Sequence, residues 1–407
     1  MPGARHARGA GPLTGRGERP DVSVLTSGHD VADARLHREV AALRARGLSV
    51  EVLGLGEAAD GPDGASVRTW RRPGMLGRAA LAARQPYLAR GRVLLTLDPD
   101  SGLAAALAQP LRRARGDRPA LVVDVHEDYA ALLADRAWAR RYAGLPGRLA
   151  RGVTRAGLAM TRTADLVVVA DEHLPPRTAR RRLVVRNLPH SAMLPPPGPR
   201  DAAPRAIYIG DLRASRGLFA MLAALRHADG WTLDLVGPVA GRDQARLDRE
   251  LATLGGRARL HGRMPPERAW RLAEGAWAGL LLLARTPAFA EAVPSKLYEY
   301  LACGLPVVAT DLPRSAALVR ERDAGAVVAC GEDEAVGAAT AQILRAWSDD
   351  PAGLDAMRRR LADESLRVRQ ARTPYDDLAD AVAVLAGRPT RDADLREHTR
   401  PATGGTP

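Results

Sequence analysis

From Glu291 to Glu299 the chain reads Glu-Ala-Val-Pro-Ser-Lys-Leu-Tyr-Glu, two carboxylates with Lys296 between them. A carboxylate accepts hydrogen bonds on two oxygens and so suits a ligand that offers hydroxyl donors. Lys296 is the only lysine among the 60 Lys and Arg residues of the 407-residue chain. An ammonium is a compact, strongly hydrated point charge and a guanidinium a planar fork, so a solitary lysine marks a place that arginine would fit badly. Pro294 suits the first turn of a helix, and Gly304-Leu-Pro306 ends one. That helix places Lys296, Glu299 and Cys303 on one side, with Leu297, Tyr298 and Leu301 able to face inward. Its N-terminus already carries partial positive charge and free N–H groups, so a lysine there is unfavourable unless an anion sits against it.

The elements that must hold this helix follow an α/β rhythm. Val22 to Leu25 is a short apolar strand, followed by the polar stretch Thr26-Ser-Gly-His-Asp30. Gly28 stands in that stretch, where backbone can approach a ligand closely. Leu36, Val40 and Leu43 recur at helical spacing, and Gly47 ends the helix before a strand at Val50 to Leu53. Further strands read at Val93 to Leu97, Leu121 to Val125, Leu166 to Val169 and Leu183 to Val185. Pro-rich 194–200 interrupts the pattern, and a second series follows at Ala206 to Ile209, Leu233 to Val236, Leu280 to Leu283 and Val307 to Ala309. Such alternation specifies parallel sheets covered by helices. The reading is a disordered arm (1–20), an N-terminal Rossmann-like domain (21–192), a linker (193–204), a C-terminal Rossmann-like domain (205–388) whose final helix can pack back on the first, and a disordered tail (389–407). Ligands of such folds bind beyond the carboxyl ends of the strands, here in the cleft between two doubly wound domains.

Composition sets bounds. The formal charge of +13 suits nucleic acid, an anionic membrane surface or a phosphorylated substrate. No helix-turn-helix, finger or RNA-recognition pattern accompanies the dispersed arginines, so nucleic acid is not expected as a partner. Cys303 and Cys330, the only two cysteines, form neither a disulfide framework nor a metal-ligand spacing. The first twenty residues lack the apolar core of a signal peptide, and no uncharged apolar run reaches ~18 residues. The stretch from Arg136 to Arg162 holds seven arginines and no acidic residue, interleaved with Trp138, Tyr142 and Leu145. It could lie on an anionic bilayer. The expected location is the cytoplasm, peripheral on the inner face of the membrane. Asp98-Pro-Asp100 reads as a loop beyond a strand, and no metal is expected.

With Tyr300-Leu-Ala-Cys-Gly-Leu-Pro-Val-Val-Ala-Thr310 behind them, Glu291 and Glu299 resemble the E-x7-E signature of the retaining glycosyltransferases of family 4, which have the two-domain GT-B fold. Ile207-Tyr-Ile-Gly-Asp-Leu-Arg-Ala-Ser-Arg-Gly217 resembles that family's first C-domain strand and phosphate loop, Asp124-Val-His-Glu127 a strand ending in a sugar-contacting histidine, and Asp33-Ala-Arg35 its first N-domain loop. The likeness spans roughly residues 21 to 345. It implies retaining transfer of a hexose from a nucleotide diphosphate sugar to a saccharide, lipid-linked or small-molecule hydroxyl acceptor, in polysaccharide or glycolipid biosynthesis. No cofactor beyond the donor substrate is implied. By the same resemblance His126, Glu291 and Arg216 are catalytic; Gly28, Gly210, Arg213, Arg216, Lys296 and Glu299 bind the donor; and Asp33 and Arg35 lie on the acceptor side. Two departures stand out. Asp211 occupies a position where many members have arginine, which Arg213 or Lys296 could replace, and Val293-Pro294 stands where many place an aromatic and a glycine. The alternatives are a GT-B nucleotide-sugar 2-epimerase and a natural-product glycosyltransferase.

Overall fold

The computed structural model describes residues 18–388 apart from 127–162, of which only Gly152, Ala156 and Ala159 are placed, and apart from 173, 177–178, 287–288 and 290–293. Two parallel sheets form the frame. The first contains β1 (Val22–Asp30), β2 (Val50–Leu55), β3 (Ser66–Trp70), β4 (Val93–Thr96), β5 (Ala120–Val125), β6 (Leu166–Val169) and β7 (Arg182–Val184), in the order β3-β2-β1-β4-β5-β6-β7. The second contains β8 (Arg205–Ile209), β9 (Thr232–Val236), β10 (Ala258–Gly262), β11 (Ala278–Leu281), β12 (Val307–Thr310) and β13 (Gly325–Val328), in the order β10-β9-β8-β11-β12-β13. Helices separate most of the strands. In both sheets the chain starts in the middle and winds outward both ways, so a crevice opens beside β1 and beside β8, where the winding reverses.

Central strands such as β4, β6 and β12 are buried throughout their length, as a parallel sheet covered on both faces requires. Helix α1 (Ala34–Ala45) starts on Asp33, whose carboxylate accepts from the backbone N–H groups of Arg35 and Leu36, a side-chain cap typical of Asp. Leu36, Val40 and Leu43 are buried, and Gly47 adopts φ +83°, so the helical repeat and its glycine stop act as expected.

The structure corrects the first strand. Expected to end at Leu25, β1 runs to Asp30, although its register with β2 shifts between Leu25 and Asp30. Its polar residues are tied down by side chains: Thr26 Oγ1 donates to Asp98 Oδ2 at 2.6 Å, and the Ser27 N–H donates to the same oxygen at 2.9 Å.

The segment before β8 is fastened by the long helix Pro351–Gln370. Arg369 donates to the carbonyls of Ser191, Leu194 and Pro195, and Arg358 to that of Gly198. The last helix, Pro374–Leu385, returns to the first sheet, where Tyr375, Leu378 and Val382 join the core of Leu36, Val40 and Leu43. No helix among the described residues is long and apolar enough to cross a membrane. The arginine-rich stretch from Arg136 to Arg162 lies outside the described residues.

Candidate functional site

Helix Ser295–Ala302 begins directly after Pro294, and Gly304 follows it at φ +66°. Leu297 and Tyr300 are its fully buried residues; Tyr298 and Leu301, expected to face inward, are only half-buried. Tyr300 instead anchors the helix on β8, its hydroxyl donating to the Ile207 carbonyl and accepting from the Ile209 N–H, each at 3.3 Å. That anchor turns Lys296 and Glu299 toward the end of β8.

There the chain passes through Gly210 at φ +142°. A Cβ on Gly210 would lie 2.1 Å from Lys296 Cε and 2.6 Å from Nζ, so the lysine stem lies across a bare patch of backbone that only glycine provides. Desolvation, reinforced by Arg216, lowers the Lys296 pKa to about 8 against the opposing pull of Glu299 and Asp211. The cost of burying an ammonium next to a guanidinium falls when an anion enters. Asp211, which breaks the family-like pattern, lies within this cluster. It pairs with Arg213, and Arg216 lies 3.8 Å away. Burial works against its charge, but Arg216, Arg213 and Lys296 outweigh it and hold the carboxyl below its usual range. Arg213 is therefore occupied by Asp211, and Lys296 with Arg216 forms the deeper cationic pair.

Glu299 has a partner that the sequence did not indicate. Arg38, on α1 of the other domain, donates from Nη2 to Glu299 Oε1 at 2.6 Å, and both side chains are nearly inaccessible. Among the described residues the second oxygen accepts only a long contact from Ser295 Oγ at 3.5 Å. The neighbouring residue of α1, His37, places Nδ1 2.7 and 2.8 Å from the two carboxylate oxygens of Glu267 in the second domain, while its Nε2 faces the Val31 and Asp60 carbonyls. Two consecutive residues of α1 thus clasp the second domain.

The ends of β1, β4 and β5 carry a second network. His126 places Nδ1 3.0 Å from Asp124 Oδ2 and Nε2 3.3 Å from Nε2 of His29, whose own Nδ1 lies 2.9 Å from Asp98 Oδ1. Both aspartates are buried, and burial alone would favour their neutral forms. In Asp98 the His29 imidazole outweighs burial, helped by Arg78 and Thr26; in Asp124 Arg35 does so, followed by His126. Both carboxyls are held well below the usual range. Glu39, fully buried beside Asp124, is pushed well up by desolvation and that neighbouring charge.

Arg35, Asp33 and Gly28 all make contacts within the first domain. Arg35, placed on the acceptor side by resemblance, is buried and gives two hydrogen bonds to Asp124 and others to Val185 and Asn187, so it braces the strand end that carries His126. Asp33 caps α1. Gly28, expected among the donor contacts, already gives its N–H to Asp98 at 3.1 Å, and a Cβ there would strike Arg78 and Asp98 at 2.6 Å; its smallness serves packing. Pro99 begins the helix Pro99–Ala114, which leaves Asp98 at the strand end and Asp100 within the helix. Glu291 lies outside the described residues. Among the described residues no group of three or more His, Cys, Asp or Glu side chains could hold a metal ion.

The architecture matches known structures. The chain superposes on a sucrose-phosphate synthase from Thermosynechococcus elongatus with TM-score 0.55 and 15% identity, covering 91% of this chain and 98% of that one. It superposes on Anabaena HepE in complex with UDP and glucose with TM-score 0.57 and 16% identity, covering 90% and 99%. For WaaG, a glycosyltransferase involved in lipopolysaccharide biosynthesis, the values are 0.55 and 14%, covering 90% and 99%. The shared fold is the two-domain α/β arrangement called GT-B. No curated protein sequence matches the chain. The segment that holds Gly210, Arg216, Lys296 and Glu299 lies within residues 194–363, which match the family model described as glycosyl transferases group 1.

Proposed function

We propose that this chain is a retaining glycosyltransferase that moves a hexose from a nucleoside diphosphate sugar to a hydroxyl acceptor in polysaccharide or glycolipid biosynthesis. The observation that carries this reading is the convergence of Lys296, Arg216 and Glu299 beside Gly210, inside the segment that matches the glycosyl transferase model. HepE, which shares the fold, binds UDP and UDP-glucose, and this supports a nucleotide-sugar donor. The diphosphate lies against Lys296 and Arg216, which stabilise the negative charge that grows on the leaving group. Ribose hydroxyls donate to Glu299, and Glu291 and His126 meet the hexose. The bond from the anomeric carbon to the diphosphate oxygen breaks, and the bond to the acceptor oxygen forms on the same face. The departing diphosphate takes the acceptor proton. No protein nucleophile is assigned.

Incubating the purified protein with UDP-, GDP-, ADP- and dTDP-hexoses tests this. Acceptor-dependent release of the nucleoside diphosphate, with retained anomeric configuration in the product, is the expected result; an epimerised donor formed without acceptor would establish the isomerase instead. Glu299→Gln is expected to weaken nucleoside diphosphate binding by roughly 1–3 kcal/mol through lost hydrogen bonds to ribose. Unchanged affinity in calorimetry would remove Glu299 from the site.

A further inference from the structure

Eight large hydrophobic side chains are exposed among the described residues, and five of them, Met75, Leu76, Tyr87, Leu107 and Leu111, sit on just two helices of the first domain, Met75–Leu88 and Pro99–Ala114. These helices pack against each other. Helix Met75–Leu88 buries Leu81, Ala82, Gln85 and Pro86 on its inner side. Its outer side is also apolar: Leu76, Ala80, Ala83 and Tyr87 are all exposed and follow one another at spacings of three and four, which aligns them on one stripe. On its neighbour Leu107, Leu111 and Ala114 repeat the pattern. A surface helix ordinarily turns polar residues to water, and exposed apolar area gathered in one place marks an interaction face.

The unpaired charge around the stripe is positive, because Asp117 beyond the second helix is paired with Arg19 and Arg112. Arg71, Arg72, Arg84, Arg113 and Arg115 are exposed on or beside these helices. Helix Met75–Leu88 contains no acidic residue, and the single one of its neighbour, Asp100, is paired with Arg78. Apolar side chains ringed by arginine match a bilayer with anionic headgroups, where the apolar chains enter the interface and the cations meet the negative surface. Position supports the same partner. Arg78 at the start of the helix also reaches Asp98, which holds His29, so the face runs up to the side of the cleft that would receive the acceptor.

We propose that helices Met75–Leu88 and Pro99–Ala114 form a docking face for an anionic lipid bilayer, which delivers a membrane-embedded acceptor to the cleft. The inference rests on the proposed transferase function for its purpose, and its test does not depend on catalysis. Leu76 and Leu107, 86% and 64% exposed, can be changed without disturbing the core.

Sedimentation of the full chain with vesicles of phosphatidylcholine alone, and with roughly a third of phosphatidylglycerol added to supply anionic headgroups, gives the readout. The native chain is expected to sediment with the anionic vesicles only, releasing as salt rises. Leu76→Asp/Leu107→Asp is expected to lose at least about tenfold in vesicle affinity, and Arg84→Glu/Arg113→Glu to lose most of its salt-sensitive part. Both variants should keep native circular dichroism and native nucleoside diphosphate binding. Absence of binding to anionic vesicles, or binding that both variants retain, would overturn the proposal. So would a native dimer in solution that the leucine variant converts to monomer, because a second copy would then cover the face. Failure of nucleotide binding in the native chain, with vesicle binding intact, would count against the transferase reading alone.

Discussion

Replacing Lys296 by methionine is expected to stabilise the ligand-free protein at pH 7 and to lower turnover by about 10²–10³-fold, the cost of removing one preorganised charge from a developing anion. The stability effect has a definite sign. The folded pKa of about 8 lies below the ordinary lysine value of 10.5, so between these values the unfolded chain binds the extra proton and wild-type stability rises with pH. Below pH 8 the folded protein bears the full cost of the buried charge. Methionine keeps the stem over Gly210 and removes that cost, a gain on the order of 1–3 kcal/mol at pH 7 that shrinks to nothing above pH 10.5. Urea unfolding of both proteins at pH 7 and pH 10.5 isolates the difference, because other titrating groups are common to the two. Nucleotide affinity should fall in the wild type, but not in the variant, as pH rises past about 8. A variant that is less stable at pH 7 with full turnover would mean that the lysine is a packing residue.

Arg38→Met should have the opposite effect on stability. Removing one member of a buried ion pair leaves the other charge uncompensated, which costs about 3–5 kcal/mol, and here the stranded group is Glu299. The loss should appear as a lower urea midpoint. Ribose hydroxyls that engage both oxygens of Glu299 must compete with Arg38, so a saturating nucleoside diphosphate should raise the melting temperature of Arg38→Met more than that of the wild type. An equal rise in both proteins would show that ribose and Arg38 share the carboxylate without competing.

What the sequence disclosed and what it concealed follow a physical division. The central strands were legible because strands buried on both faces read as continuous apolar runs. β3, β10 and β13 were not picked out, and all three are edge strands. β3 and β10 are exposed or half-buried along their length, so Ser66–Trp70 and Ala258–Gly262 lack the apolar signature. The helix from Ser295 was legible through Pro294 and Gly304, which act locally. Its partners were not. Arg38 and Glu299 lie 261 positions apart, and within α1 the spacing of Leu36, Val40 and Leu43 leaves Arg38 looking like an ordinary outward residue. His29 was hidden in the same way, since its role depends on Asp98 and His126 from two other strands. Arg35 was concealed likewise, since its guanidinium turns onto Asp124, 89 positions away.

Isothermal titration of UDP, GDP, ADP and dTDP into the wild type, Lys296→Met and Glu299→Gln tests the central claim most directly. One of the four should bind the wild type, and each substitution should weaken that binding by about tenfold or more, as expected for a lost charge-assisted contact. Binding of none of them, or equal binding to all three proteins, would contradict a donor diphosphate held between Lys296, Arg216 and Glu299.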